Sequence, residues 1–223
     1  MGVKGGPDPD ELFHPNAKFF FDASNQIGNV SSTSFTNFVK SGEYTDWTID
    51  NSNAIISGIG ASKALITQSL QGFKNSLRAT GTFNQRSSFS WSIVVAGGTT
   101  AQDNKMLRVN DNCQFLINAN GTFTYSDAGE DNTSSALGLT STVWKHLLFT
   151  RNNASCNLYV NNISSFSFTR VNNNSPTDSD FRFNSFPGST VTVAYLFYWH
   201  DYTLSASEIQ REYDKVKRRF SLP

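Results

Sequence analysis

The sequence predicts an all-β fold, two antiparallel sheets stacked as a jelly-roll sandwich with a short C-terminal helix. Three observations predict it. Ser, Thr and Asn make up about a third of the 223 residues, alongside 19 Phe. Short apolar or alternating runs follow one another with polar turns and no helical pattern between them. One amphipathic, capped segment stands at the end of the chain.

Residues 1–17 read as an extended arm. Gly2, Gly5, Gly6, Pro7, Pro9 and Pro15 disfavour regular structure, so the arm has no core of its own. It lacks the basic and apolar regions of a signal peptide, and export by that route is not expected. Val3, Lys4, Pro7, Leu12 and Phe13 are its candidate assembly contacts, made on the chain's own domain or on a neighbouring subunit.

Residues 18–204 read as the sandwich. Phe89-Ser90-Trp91-Ser92-Ile93 alternates as a half-buried strand does. Asn118-Ala119-Asn120-Gly121 joins two strands, because Asn-Gly supplies the positive φ of a tight hairpin. Asn152–Ser155 and Asn161-Asn162 predict two further hairpins. Thr190 to Trp199 is β-branched and aromatic, as suits a strand buried on both faces.

Residues 205–223 read as the helix. Ser205-Ala206-Ser207-Glu208 is a capping box. Ile209, Tyr213, Val216 and Phe220 form one apolar stripe, which packs the helix on the sandwich. Lys215, Lys217, Arg218 and Arg219 load the last turns, where the helix dipole favours cations.

Composition excludes several functions. With 18 basic and 18 acidic residues the net charge is zero, unlike a nucleic-acid binder. No apolar run is long enough to span a membrane as a helix. Cys113 and Cys156 stand in no metal spacing and read as two separate buried thiols. Six N-x-Ser/Thr sequons occur, but chance placement gives about five, so they carry no information.

Three segments resemble the concanavalin A-like superfamily, in particular laminin-G-like domains of tailed-phage structural proteins. They are Phe20-Phe21-Asp22-Ala23-Ser24-Asn25 with Trp47; Val143 to Thr150 followed by Asn157-Leu158-Tyr159-Val160-Asn161-Asn162; and Tyr195 to His200 with Leu204-Ser205-Ala206-Ser207-Glu208-Ile209 and Tyr213. The middle segment is similar to that superfamily's "LYVNG" hairpin, with Asn162 where Gly is usual; Asn tolerates the left-handed conformation. The resemblance implies a jelly roll. Within it Phe21, Trp91, Trp144, Tyr159 and Phe197 are the expected core anchors.

Site expectations follow. The superfamily's glucanases carry an E-x-D-x-x-E pair, and none occurs here, nor does a G-x-S-x-G elbow. No catalysis is expected. Asp103, Asp127 and Asp131 are candidate oxygen ligands for Ca²⁺, the only cofactor considered, and Asx-rich turns are the simpler reading of the same residues. Trp47, Tyr125, Trp199 and Tyr202 are candidate platforms for a sugar. The leading expectation is a structural or adhesion protein of a virus particle, a capsid decoration or tail component. It would join an oligomeric assembly of virion proteins through its arm and touch host glycans through its loops. A free-standing lectin module is the alternative, and a glucanase-type hydrolase is the remote one. No nucleic-acid or membrane partner is expected.

Overall fold

The computed structural model describes residues 15–22, 34–35, 39, 47–49, 54–57, 64–67, 73–76, 88–96, 104–110, 113–127, 129–139, 143–171, 180–183 and 191–223. Two eight-stranded antiparallel sheets account for most of them. The first sheet runs β14 (Ile163–Thr169), β13 (Ser155–Val160), β12 (Trp144–Asn152), β7 (Phe89–Ala96), β16 (Val191–His200), β5 (Ala64–Thr67), β4 (Ala54–Ser57). Strand β1 (Ala17–Asp22) also pairs with β16. The second runs β11 (Glu130–Thr133), β10 (Phe123–Asp127), β9 (Cys113–Ile117), β8 (Asn104–Asn110), β15 (Asp180–Phe183), β6 (Phe73–Ser76), β3 (Trp47–Ile49), β2 (Ser34–Phe35).

The predicted hairpins form where the turn residues allow positive φ. Gly121 has φ 77°, Asn153 54°, and Asn161 and Asn162 48° and 66°. Asn161 and Asn162 are both left-handed, the requirement of a type I′ turn, so Asn162 does the work of the usual glycine.

Strand β7 is buried along its whole length, and this shows how the layers stack. Phe89, Trp91, Ile93 and Val95 enter the core between the sheets, where Phe115, Ile117, Phe123 and Tyr125 of the second sheet meet them. Trp91 stacks on Phe149 at 5.7 Å between ring centroids, and Phe115 meets Trp91 edge-on at 5.2 Å. On the other side of the first sheet Val94, Leu148, Tyr195 and Phe197 form a second cluster.

Helix α1 (Ala206–Phe220) covers that second cluster with Ile209, Tyr213 and Val216. The Ser205 side chain accepts from the Glu208 amide, and the Glu208 carboxylate accepts from the Ser205 amide at 2.8 Å, completing the capping box. The expected anchors divide accordingly. Trp91 and Phe197 are fully buried. Trp144 and Tyr159 are not core anchors: both are only partly buried, packed against the outer cluster beside the helix. Phe21 lies in β1, and its side chain lies outside the described residues.

Candidate functional site

The β9–β10 hairpin and β11 carry alternating residues, so one set enters the core and the other faces outward. Gln114, Leu116 and Asn118, then Thr122, Thr124 and Ser126, then Asp131 and Thr133, form the outward set and line a cavity of about 630 Å³. Register aligns them: Thr124 sits opposite Leu116 on one side and Thr133 on the other, and Ser126 opposite Gln114 and Asp131.

The floor of this groove is a hydrogen-bonded ladder. Asn118 Nδ2 donates to Thr122 Oγ1 at 2.7 Å and to Thr124 Oγ1 at 2.8 Å. Thr124 and Thr133 hydroxyls meet at 2.8 Å. Asn120 Oδ1 accepts from the Thr122 amide and hydroxyl, tying the turn to the strand. Asn118 and its hydroxyl partners are thereby held in place before any ligand arrives, which lowers the ordering cost of binding. Apart from Leu116 and Ala119, every lining side chain is a hydroxyl, an amide or a carboxylate, and Asp131 is the only carboxylate among the lining residues.

Two buried polar clusters lie elsewhere. Under α1, Glu212 Oε1 accepts from Ser92 Oγ and Tyr195 OH, both at 2.7 Å, and Lys215 pairs with its other oxygen at 2.5 Å. Ser92 Oγ also lies 2.8 Å from His146 Nε2. Ser, His and Glu thus meet, but in an arrangement without catalytic use: the carboxylate binds the serine instead of the imidazole. All three are also sealed beneath the helix. Burial lowers the His146 pKa from 6.5 to about 4, against the pull of Glu212 and with the help of Lys215. Burial pushes Glu212 upward, but Lys215 and the hydrogen bonds hold its carboxyl below the ordinary range.

Between the sheets, Asp127 Oδ2 accepts from Tyr125 OH at 2.8 Å and pairs with Arg170 at 2.7 Å and Arg151 at 3.4 Å. Burial raises the Asp127 pKa against the Tyr125 hydrogen bond and both guanidiniums. Burial likewise pushes the Cys156 thiol up to about 12, so this thiol is inert.

The expected site residues do not converge. Tyr125 is fully buried in the core, which removes its ring as a sugar platform. Trp199 is 4 % exposed and stacks on Phe197 at 4.2 Å in the outer cluster. Tyr202 is partly buried and donates to Glu208 at 2.7 Å beside the helix start. Trp47 holds a place in β3, and its side chain lies outside the described residues. The Asp127 carboxylate faces two arginines and is closed to a cation. Asp103 lies outside the described residues, and among those described no cluster of three His, Cys, Asp or Glu could hold a metal. Of the expected residues that are described, Asp131 alone lines the groove. The arm residues Val3, Lys4, Pro7, Leu12 and Phe13 lie outside the described residues. Sequence reasoning passed over Asn118, Thr122, Thr124 and Thr133, although their spacing on alternate positions around Asn-Gly was the available signal.

The sequence matches no family model and no curated protein. Solved structures share the fold. The binding domain of Paraclostridial Mosquitocidal Protein 1 superposes with a TM-score of 0.69 at 14 % identity, over 90 % of this chain and 52 % of that one. A botulinum neurotoxin type C structure, described as entering cells through interaction with two ganglioside molecules, gives 0.68 at 10 % identity, over 93 % and 53 %. Domain 4 of AbnA, a GH43 extracellular arabinanase from Geobacillus stearothermophilus, in complex with arabinotriose, gives 0.62 at 16 % identity, over 88 % and 98 %. The chain spans about half the length of the first two. At these identities the likeness shows the fold, a two-sheet β-sandwich.

Proposed function

We propose that this chain is a carbohydrate-binding module without catalytic activity, and that its site is the groove across β9, β10 and β11. The observation that carries the reading is the prearranged ladder of Asn118, Thr122, Thr124 and Thr133 in a cavity of about 630 Å³. Sugars present hydroxyls that both donate and accept, and a floor of hydroxyls and amides matches them in both senses. The ganglioside and arabinotriose named for two structures of the same fold support the reading. Most glycoside hydrolases use two carboxyl groups roughly 5–10 Å apart. Among the described residues that line the groove, Asp131 is the only carboxylate. The expectation of a virus-particle protein draws no support from these likenesses.

The test is a glycan panel read by calorimetry, with Thr124→Val and Thr133→Val as variants. Each removes one hydroxyl at nearly constant size. Each should weaken binding by about three- to tenfold, the effect of a single hydrogen bond. Failure to bind any glycan, or binding indifferent to both variants, would sink the proposal.

A further inference from the structure

The floor of the groove can donate and accept, but not in equal measure. An amide nitrogen carries two protons and a hydroxyl one. Asn118 spends both of its amide protons within the ladder, on Thr122 Oγ1 and Thr124 Oγ1. Thr122 spends its hydroxyl proton on Asn120 Oδ1. What Asn118 and Thr122 retain is therefore acceptor capacity, at Asn118 Oδ1 and at a lone pair of Thr122 Oγ1. The Thr124 and Thr133 hydroxyls use one proton between themselves, which leaves the pair one free proton. The Asn120 amide protons stand out at the exposed turn. Along the ladder itself, free lone pairs outnumber free protons.

Asp131 adds to the same imbalance. It is exposed, and its side chain makes no hydrogen bond or ion pair with another described residue. Its neighbour Glu130 shows the contrast that alternation produces. Glu130, on the opposite face of β11, accepts from Asn132 Nδ2 at 3.1 Å and from the Val171 amide at 3.1 Å. Asp131 stands opposite Ser126, and Thr133, two residues on, stands opposite Thr124. Two residues along a strand span about 7 Å, so the carboxylate stands one step along the groove from the Thr124–Thr133 pair. A sugar hydroxyl brings a donor together with an acceptor. A sugar carboxylate or sulfate brings only acceptors and would meet Asp131 as a like charge. An ammonium brings three donors, no acceptor and the opposite charge.

Resting on the carbohydrate-binding reading, we infer that the ligand is an amino sugar glycan, one whose amino groups are free and charged. An ammonium of the glycan pairs with Asp131, and hydroxyls beside it bond to the ladder at Thr124 and Thr133. A sugar suits the groove better than a basic peptide. Its hydroxyls can use the Thr124–Thr133 pair and Ser126, which the methylene stem of a lysine cannot.

The experiment compares matched oligomers by calorimetry on the full chain, in a mildly acidic buffer that keeps the amines protonated. The β-1,4-linked oligomers of glucosamine, N-acetylglucosamine and glucose are used at one length. The glucosamine oligomer should bind about three- to fivefold more tightly than the other two, the worth of one exposed ion pair. That advantage should shrink as salt rises. Asp131→Asn should erase the advantage and its salt dependence, while Asp131→Glu retains both. Melting temperatures of the two variants report that they fold. Equal binding of the three oligomers, or an advantage that survives Asp131→Asn, overturns the amino sugar inference and leaves the groove reading standing. Binding of none of them overturns the inference, and the glycan panel then decides the groove reading separately. An oligolysine peptide that binds as tightly as the glucosamine oligomer overturns it as well.

Discussion

Trp91 and Trp144 show how two residues of one type can serve differently. Trp91 is sealed between the sheets and stacked on Phe149. Trp144 lies at the start of β12 against the outer cluster and keeps part of its surface. Trp91→Ala should therefore cost about 3–5 kcal/mol, and Trp144→Ala no more than about half of that. Urea denaturation of the two variants checks the order. At His146 the consequence is one of pH. The unfolded chain takes up its proton near 6.5, the folded chain only near 4. Between those values the unfolded state holds more protons, so stability is full above 6.5 and falls as the pH falls. From pH 6.5 to 5 the loss from this residue is about 2 kcal/mol. Glu212, held below 4.5 in the fold, contributes its own loss only below that window. Denaturation curves at pH 7 and pH 5 should show the loss in the native chain and a smaller one in His146→Gln.

Among elements, α1 depends on two different kinds of interaction. Its start rests on the local box of Ser205 and Glu208, and Ser205→Ala should cost about 1 kcal/mol. Its middle rests on Glu212, which ties the helix to β7 through Ser92 and to β16 through Tyr195. Glu212→Ala removes the buried carboxylate that accepts from Ser92 and Tyr195 and pairs with Lys215, so about 3 kcal/mol or more should be lost. Thermal unfolding of the two variants separates the terms: the larger shift belongs to Glu212. The hairpins, by contrast, are local. Asn161 and Asn162 adopt φ values that β-branched residues resist, so Asn162→Val should destabilise by roughly 1–2 kcal/mol, whereas Asn162→Gly stays within a few tenths.

For the whole molecule, the first sheet has apolar residues on both faces. Val94, Leu148, Tyr195 and Phe197 lie opposite the inter-sheet core, beside Phe20 of β1, and are covered by α1. The helix is therefore a third layer. The ion pair of Arg219 with buried Asp22 joins its end to β1. A chain shortened after Leu204 would expose this cluster, and size-exclusion chromatography should show association or aggregation instead of a monomer-like peak.

What the sequence determined by itself is what short-range chemistry governs. Alternation marked β7, a β-branched and aromatic run marked β16, Asn-Gly and Asn-Asn marked the turns, and Ser205 to Glu208 marked the helix start, because each depends on residues within a few positions of one another. Tertiary structure decided which face each residue met. Tyr125 looked like a sugar platform, but it alternates with Thr124 and Ser126, and only the stacking of the sheets shows that its side of β10 is the buried one. Asp127 looked like a metal ligand until folding brought Arg151 and Arg170 to it. Strand order and register are long-range choices that no local pattern encodes, and the groove is their product.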